Sequence, residues 1–227
     1  CSSDLVLLVI RAMAALYEID LSHDLLFRLA AVVLVQRGDN GSMGDLACIA
    51  YEDLIYYQSF DRAWLHEVLT SQPLSQVLAL DWHYQIRVIQ PAVSYDFLVG
   101  WTKEPAISSD LIRRVKGAIK EAFLKESQAA VEELEKGLLE GNQKGIKTSI
   151  ERADQNLKAL NPLIYTPALK ELQQATDGLS ACAKSSGAGG GDCGVALSFD
   201  PLETQTLIDR WTEKKIEIIY QERIGDS

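Results

Sequence analysis

The chain has 227 residues, 47% of them hydrophobic and 24% charged, which excludes wholesale disorder and suffices for one good core or two smaller ones. Thirty-two acidic against 22 basic residues give a net charge of −10, and no stripe of Lys and Arg is present to neutralise phosphate backbones, which argues against nucleic acid as a partner. Cys1, Cys48, Cys182 and Cys193 are scattered without a C-x-x-C pair and His23, His66 and His83 are dispersed, so reduced thiols in a cytoplasmic protein are expected, not disulfides or a zinc site.

The opening stretch "CSSDLVLLVIRAMAALYEI" is apolar nearly all round over residues 5–19. It lacks a basic leader, Arg11 interrupts it, and about 20 apolar residues are needed to span a bilayer, so it predicts a helix buried on most sides and no membrane partner. A chain that opens without Met on so apolar a helix is expected to be a fragment. Ser22 is placed to cap a second helix, "HDLLFRLAAVVLVQR", which Gly38 closes. The polar loop "GDNGSMGD" follows, and then "LACIAYEDLIYYQSF", whose β-branched and aromatic residues predict strand. Between residues 61 and 90, "RAWLHEVL" and "PLSQVLAL" predict short helices, and "YDFLVGWT" a buried strand beyond a domain seam near residues 90–96.

After Ser108 and Ser109, the residues Leu111, Ile112, Val115, Ile119 and Phe123 fall on one helical face. Three further helices are expected near 127–140, 143–159 and 166–180, broken at Gly141, Pro162 and Pro167, the first two with charged, solvated faces. "CGVALSF" alternates like a strand, "PLETQTLIDRWTEK" places Pro at a helix start, and "KIEIIYQERI" ends the chain as strand. Helices and strands mix without regular βαβ alternation, so the expected fold class is α+β.

The segment "KSSGAGGGDCGVALSF" puts five glycines into residues 187–194, between a predicted helix ending near Ser180 and a predicted strand at Val195. Glycines let a backbone approach a ligand and turn successive N–H groups into an anion-binding concavity, to which Ser185, Ser186 and Lys184 add donors and charge. An anion site, a tight structural turn and a linker all remain open on residues alone, since neither common nucleotide-loop pattern is matched. The "RGDNGSMGD" loop is likewise open between a surface turn and a site.

"KSSGAGGGDCGVALSFD" resembles the C-terminal glycine motif of the GHMP kinases, specifically of the bacterial phosphomevalonate kinase family, and "QRGDNGSMGDLACIAYEDLIYYQSFDR", "DFLVGWTKE", "IYTPAL" and "IYQERIG" resemble further segments of it in the same order. The resemblance implies a GHMP kinase fold, with residues 1–92 the remainder of an N-terminal, ATP-binding domain and residues 93–227 a ferredoxin-like C-terminal domain with added helices. It implies transfer from Mg²⁺-ATP to 5-phosphomevalonate in the mevalonate route to isoprenoids. It assigns Asp45 to the active site, Ser42, Asn40 and Arg37 to acceptor contacts, and Lys184, Ser185, Ser186, Gly187, Ala188 and Gly189 to phosphate. At the front the chain departs from the family: of the "GLGSSGS"-like loop that cradles ATP phosphates only Ser2 and Ser3 remain, Asp4 follows, and an N-terminal active-site lysine is missing. A C-terminal fragment lacking the N-terminal third and inactive by itself is therefore expected, with no Mg²⁺ ligand assigned. A mevalonate-kinase type of GHMP enzyme and a non-catalytic binding module are the alternative readings.

Overall fold

The computed structural model describes residues 2–39, 41–104, 115, 117–187 and 189–225, with side chains from Asp4 onward. The chain divides into two compact units, Cys1–Ile89 and Gln90–Ser227.

The first unit begins with α1 (Ser2–Leu16), α2 (His23–Gln36) and α3 (Gly44–Tyr51), and continues through β1 (Ile55–Gln58), α4 (Arg62–Ser71), α5 (Leu74–Ala79) and β2 (Gln85–Val88). The Ser22 side chain accepts from Leu25 N and starts α2, as its position predicts. Ala30 and Ala31 of α2 are fully buried beside Phe27, Leu46, Ala47, Leu65, Val77 and Trp82, because small side chains let neighbouring elements approach. Two expectations fail here. "LACIAY" is helix, not strand: Leu46, Ala47 and Ala50 are buried at three- and four-residue spacing, and Met43 (φ 64°) and Glu52 (φ 57°) bound the helix in left-handed geometry. Strand is confined to β1, which pairs antiparallel with β2, a strand the sequence pattern does not reveal. Helix α1, expected to be buried on most sides, buries Leu7 and Ala14 and leaves Leu5, Leu8, Val9, Met13 and Leu16 exposed.

The second unit is built on a four-stranded antiparallel sheet. Its elements are β3 (Tyr95–Trp101), α6 (Glu121–Glu140), α7 (Gln143–Leu160), a 3₁₀ turn (Pro162–Ile164), α8 (Pro167–Gln174), β4 (Ala181–Ser185), β5 (Cys193–Ser198), α9 (Pro201–Glu213) and β6 (Glu217–Ile224). The strand order β4-β5-β3-β6 with helices between β3 and β4 and between β5 and β6 is the split βαβ arrangement of a ferredoxin-like domain, in keeping with the expected α+β class. Leu98, Leu172, Ala196, Leu207 and Trp211 fill the core, and Trp211 Nε1 donates to Leu172 O at 2.9 Å so that the buried indole leaves no orphan donor. Asn142, Thr166 and Asp200 cap α7, α8 and α9, while Gly141 (φ 68°) closes α6.

The helix expected from Ser109 onward is not continuous to Phe123: residues 117 and 118 form a turn, and Phe123 belongs to α6. Leu111 and Ile112 lie outside the described residues. Helix α8 ends at Gln174, short of the expected 180, and β4 follows where no strand is predicted.

Candidate functional site

Each unit holds one of the polar, glycine-bearing segments singled out in the sequence. In the first unit, Arg37 is the C-cap of α2, and Gly38 at φ 72° turns the chain away from the helix. Asp39 then folds the loop on itself, its Oδ1 accepting from Gly41 N at 2.7 Å, and Arg62 Nη1 of α4 holds Asp39 O at 2.8 Å. On the far side the Tyr57 hydroxyl donates to Ser42 O at 3.1 Å, and Met43, 1% exposed, plugs the loop into the core. Fixed on both sides, this loop delivers Asp45 to the first turn of α3 with its side chain exposed. The amide groups of a first helical turn favour an anion there, so the carboxylate has a rigid base and access to solvent.

The charge of Asp45 is felt by its surroundings. Burial first, and Asp45 second, push the Cys48 thiol above its ordinary value. Burial also raises the Tyr57 phenol, with Asp45 adding to the rise against opposing effects of Ser59 and Arg62. Ser42 lies beside Asp45 and is exposed, its Oγ accepting from Gly44 N at 3.4 Å. Arg37 is exposed at the end of α2. Asn40 lies outside the described residues, as do the side chains of Ser2 and Ser3 at the start of α1.

In the second unit the glycine segment leaves β4 at Ser185 and enters β5 at Cys193. It is not free-standing. Ser186 N donates to Cys193 O at 2.9 Å, Gly190 N to Ile164 O at 2.8 Å, and Asp192 N to Glu104 O at 2.6 Å, while Asp192 O receives both Thr102 N and Thr102 Oγ1 at 2.8 Å. Such a pinned turn disposes of the linker alternative, because a flexible tether needs none of these partners. Gly189 is required by more than flexibility: at φ 72°, a β-carbon there would stand 2.7 Å from Ile164 O.

Two of the expected phosphate contacts occupy strand, not loop. Ser185 is 1% exposed, and both its N and its Oγ donate to the Tyr165 hydroxyl at 3.3 Å. Lys184 donates through Nζ to Ser185 O at 2.6 Å, and burial drives its ammonium below its ordinary pKa, against the opposing pull of Asp154. These side chains therefore stiffen the stem of the loop. Ser186 is half-buried and Gly187 exposed at the turn itself, and Ala188 lies outside the described residues. Tyr165, Gln173 of α8 and Asp154 and Lys158 of α7 surround that stem; the two α7 residues were hidden in a pattern that reads as a solvated face.

Among the described residues no cluster of three or more His, Cys, Asp or Glu is placed to hold a metal ion, and no helix is long and apolar enough to cross a membrane. Cys48, Cys182 and Cys193 are free thiols.

No family model matches the chain. Phosphomevalonate kinase of Streptomyces sp. (strain CL190) is 34% identical over 199 residues, a match covering 83% of this chain and 53% of that protein, so the chain spans about half the length of this relative. The structure of Streptococcus pneumoniae phosphomevalonate kinase in complex with phosphomevalonate and AMPPNP superposes with a TM-score of 0.95 at 49% identity, covering 98% of this chain and 68% of that one. Mevalonate kinase from L. major, at 17% identity and a TM-score of 0.72 over 98% of this chain and 64% of its own, shares the fold.

Proposed function

Because the chain belongs to the phosphomevalonate kinase family, we propose that it serves transfer of the γ-phosphoryl group of ATP to the phosphate of 5-phosphomevalonate, yielding 5-diphosphomevalonate and ADP on the mevalonate route to isoprenoids. The observation that carries this reading is the 49% identity over 98% of the chain to an enzyme held in complex with phosphomevalonate and an ATP analogue. The glycine segment, pinned at Ser186, Gly190 and Asp192, supports it. The free thiols and the lack of a spanning helix among the described residues are consistent with a cytoplasmic setting.

In this reaction an acceptor phosphate oxygen attacks the γ-phosphorus, a new P–O bond forms, and the bond to the ADP oxygen breaks. A phosphate monoester loses its second proton near pH 6, roughly, so at neutral pH the attacking oxygen is already ionised and no strong base is required. The difficulty lies in bringing two polyanions together, a matter of positioning and electrostatic screening. We assign the acceptor phosphate to the glycine loop, with Ser186, Gly187 and Gly189 against it, Ala188 among them, and Lys184 and Ser185 as its stem. Arg37, Asn40 and Ser42 are assigned to the acceptor side of the first unit, and Ser2 and Ser3, opening α1, to the phosphates of ATP, since a helix N-terminus suits phosphate.

Asp45 is assigned to orienting a cation or the water shell of Mg²⁺, which it would do as a carboxylate, and not to removing a proton. Mg²⁺ typically takes one or two carboxylates together with substrate phosphates, and an exposed carboxylate on a fixed helical turn meets that requirement. When bound, the ion offsets charge on the β- and γ-phosphates.

The test is calorimetric titration of the chain with 5-phosphomevalonate and with mevalonate, together with an assay of ADP release. Charge-assisted hydrogen bonds to the phosphate, each contributing about 1.5–3 kcal/mol, should make 5-phosphomevalonate bind at least tenfold more tightly. Equal or weaker binding than mevalonate would overturn the assignment in favour of an alcohol acceptor. Binding without ADP release from the chain, even after an ATP-phosphate loop is supplied, would leave a non-catalytic binding module.

A further inference from the structure

Behind the glycine loop lies a buried polar cluster with no task in the scheme above. Asp154 of α7 is 1% exposed, and its Oδ2 accepts from Lys158 Nζ at 2.8 Å and from Gln173 Nε2. Its Oδ1 is equally buried and makes no hydrogen bond. Proteins seldom leave a buried carboxylate oxygen without a donor. The hydroxyl of Tyr165, itself 3% exposed, lies near enough to feel the Asp154 carboxylate.

That hydroxyl already accepts two hydrogen bonds, from Ser185 N and Ser185 Oγ. A phenol oxygen so engaged has only its proton left to direct. Burial first, and the Asp154 carboxylate next, push the phenol well above its ordinary pKa, so the proton stays on the oxygen throughout the neutral range. Ser185 closes β4, an edge strand of the sheet, and its N–H points where a fifth strand would otherwise pair. The residue before Tyr165 holds the other end of the same loop, since Ile164 O accepts from Gly190 N at 2.8 Å. Two consecutive residues therefore grip the loop where it departs and where it returns.

We propose that Tyr165 is a positioning residue for the glycine loop, directing its proton toward the Asp154 carboxylate and presenting its oxygen to Ser185, so that Ser186, Gly187 and Gly189 are held ready for an anionic phosphate. This rests on the reading of that loop as the acceptor-phosphate cradle. Asp154, through Lys158 and Gln173, anchors the proton acceptor to α7 and α8, which makes the loop's shape a property of helices that never touch the ligand. A purely local strand cap would not require a buried carboxylate behind it.

The experiment measures amide hydrogen exchange of the ligand-free chain, wild type against Tyr165→Phe, and then the affinity of each for 5-phosphomevalonate. Loss of one buried hydrogen-bonding group is expected to speed exchange in peptides covering the loop about tenfold, with β3 and β5 unchanged and the affinity for 5-phosphomevalonate about tenfold weaker. Exchange that stays at the wild-type rate in the loop, or rises by one common factor across β3, β5 and loop, would overturn the proposal by making Tyr165 either inert or merely structural. Faster loop exchange with unaltered affinity would overturn it as well. Should Tyr165→Phe fail to fold, Ser185→Ala, which keeps the backbone contact, is expected to give about threefold faster loop exchange, and no change would be decisive against it. If the wild-type chain binds no 5-phosphomevalonate, the cradle reading falls separately, and the exchange data alone judge whether Tyr165 sets the loop.

Discussion

Gly189→Ala tests how far the shape of the glycine loop is dictated by its contact with the Ile164 backbone. At φ 72° the added β-carbon forces an L-residue into left-handed geometry, at a cost of about 1–2 kcal/mol. It would also stand 2.4 Å from Ile164 Cγ2 and 2.7 Å from Ile164 O. The methyl can rotate away, but the carbonyl is itself fixed as the acceptor for Gly190 N. Overpacking of this kind typically adds about 1–3 kcal/mol, so the total expected loss is about 2–5 kcal/mol. Gly187→Ala is the internal reference, since it shares a positive φ of 62° with nothing within 4 Å of the new carbon, and should cost only the backbone share of about 1–2 kcal/mol. Urea titration followed by hydrogen exchange on β5 peptides reports the second unit by itself. The two variants should differ by about 1–3 kcal/mol, the contact share alone. Equal losses would refute the claim that Ile164 constrains the loop, and no loss in either would return the segment to the status of a flexible tether.

Asp45→Asn is expected to leave the first unit folded, because the carboxylate is exposed and its helix-terminus contribution is about 0.3–1 kcal/mol, while lowering the rate of ADP formation at least tenfold in a transfer-competent enzyme; a rate within twofold of wild type would remove it from the site. Gly100→Ala puts a carbon 2.8 Å from Trp211 Cζ3 and 2.9 Å from Ile216 Cγ2, so a loss of about 1–3 kcal/mol should appear as a lower melting temperature of the second unit. The Cys182 thiol is pushed by burial up to about 12, so it should resist thiol reagents at pH 8 until the unit unfolds. Because the raised value belongs to the folded state, the linked stability is fully present below the unfolded pKa of about 8.5 and is lost as pH rises toward about 12; a stability curve flat over that window would contradict it. The exposed face of α1, with Leu8 62% and Leu16 75% accessible, should bind a hydrophobic dye, and Leu8→Glu with Leu16→Glu should abolish the signal.

Features that depend on a few neighbouring residues were legible in the chain. Ser22 caps α2 because a hydroxyl can reach an amide three residues on, and Gly141 closes α6 because only a glycine enters left-handed geometry without strain. The alternation in "CGVALSF" and the β-branched and aromatic residues of "KIEIIYQERI" give β5 and β6. The glycine and "GDNGSMGD" segments stood out for the same reason, as unusual local chemistry. What local chemistry could not settle was anything resting on partners distant in the chain. "LACIAY" is too short for its period to separate buried helix from strand, and it is helix because Leu46, Ala47 and Ala50 meet the small residues of α2. Strand β4 exists because β5, beyond the glycine turn, pairs with it. Lys184 and Ser185 look like phosphate ligands in one dimension, yet they face Ser185 O and the Tyr165 hydroxyl once β4 is laid beside α7 and α8. The carboxylate of Asp154 was indistinguishable from its solvated neighbours on an amphipathic helix until the fold enclosed it, because burial is a property of what packs over a residue and leaves no mark on the residue itself.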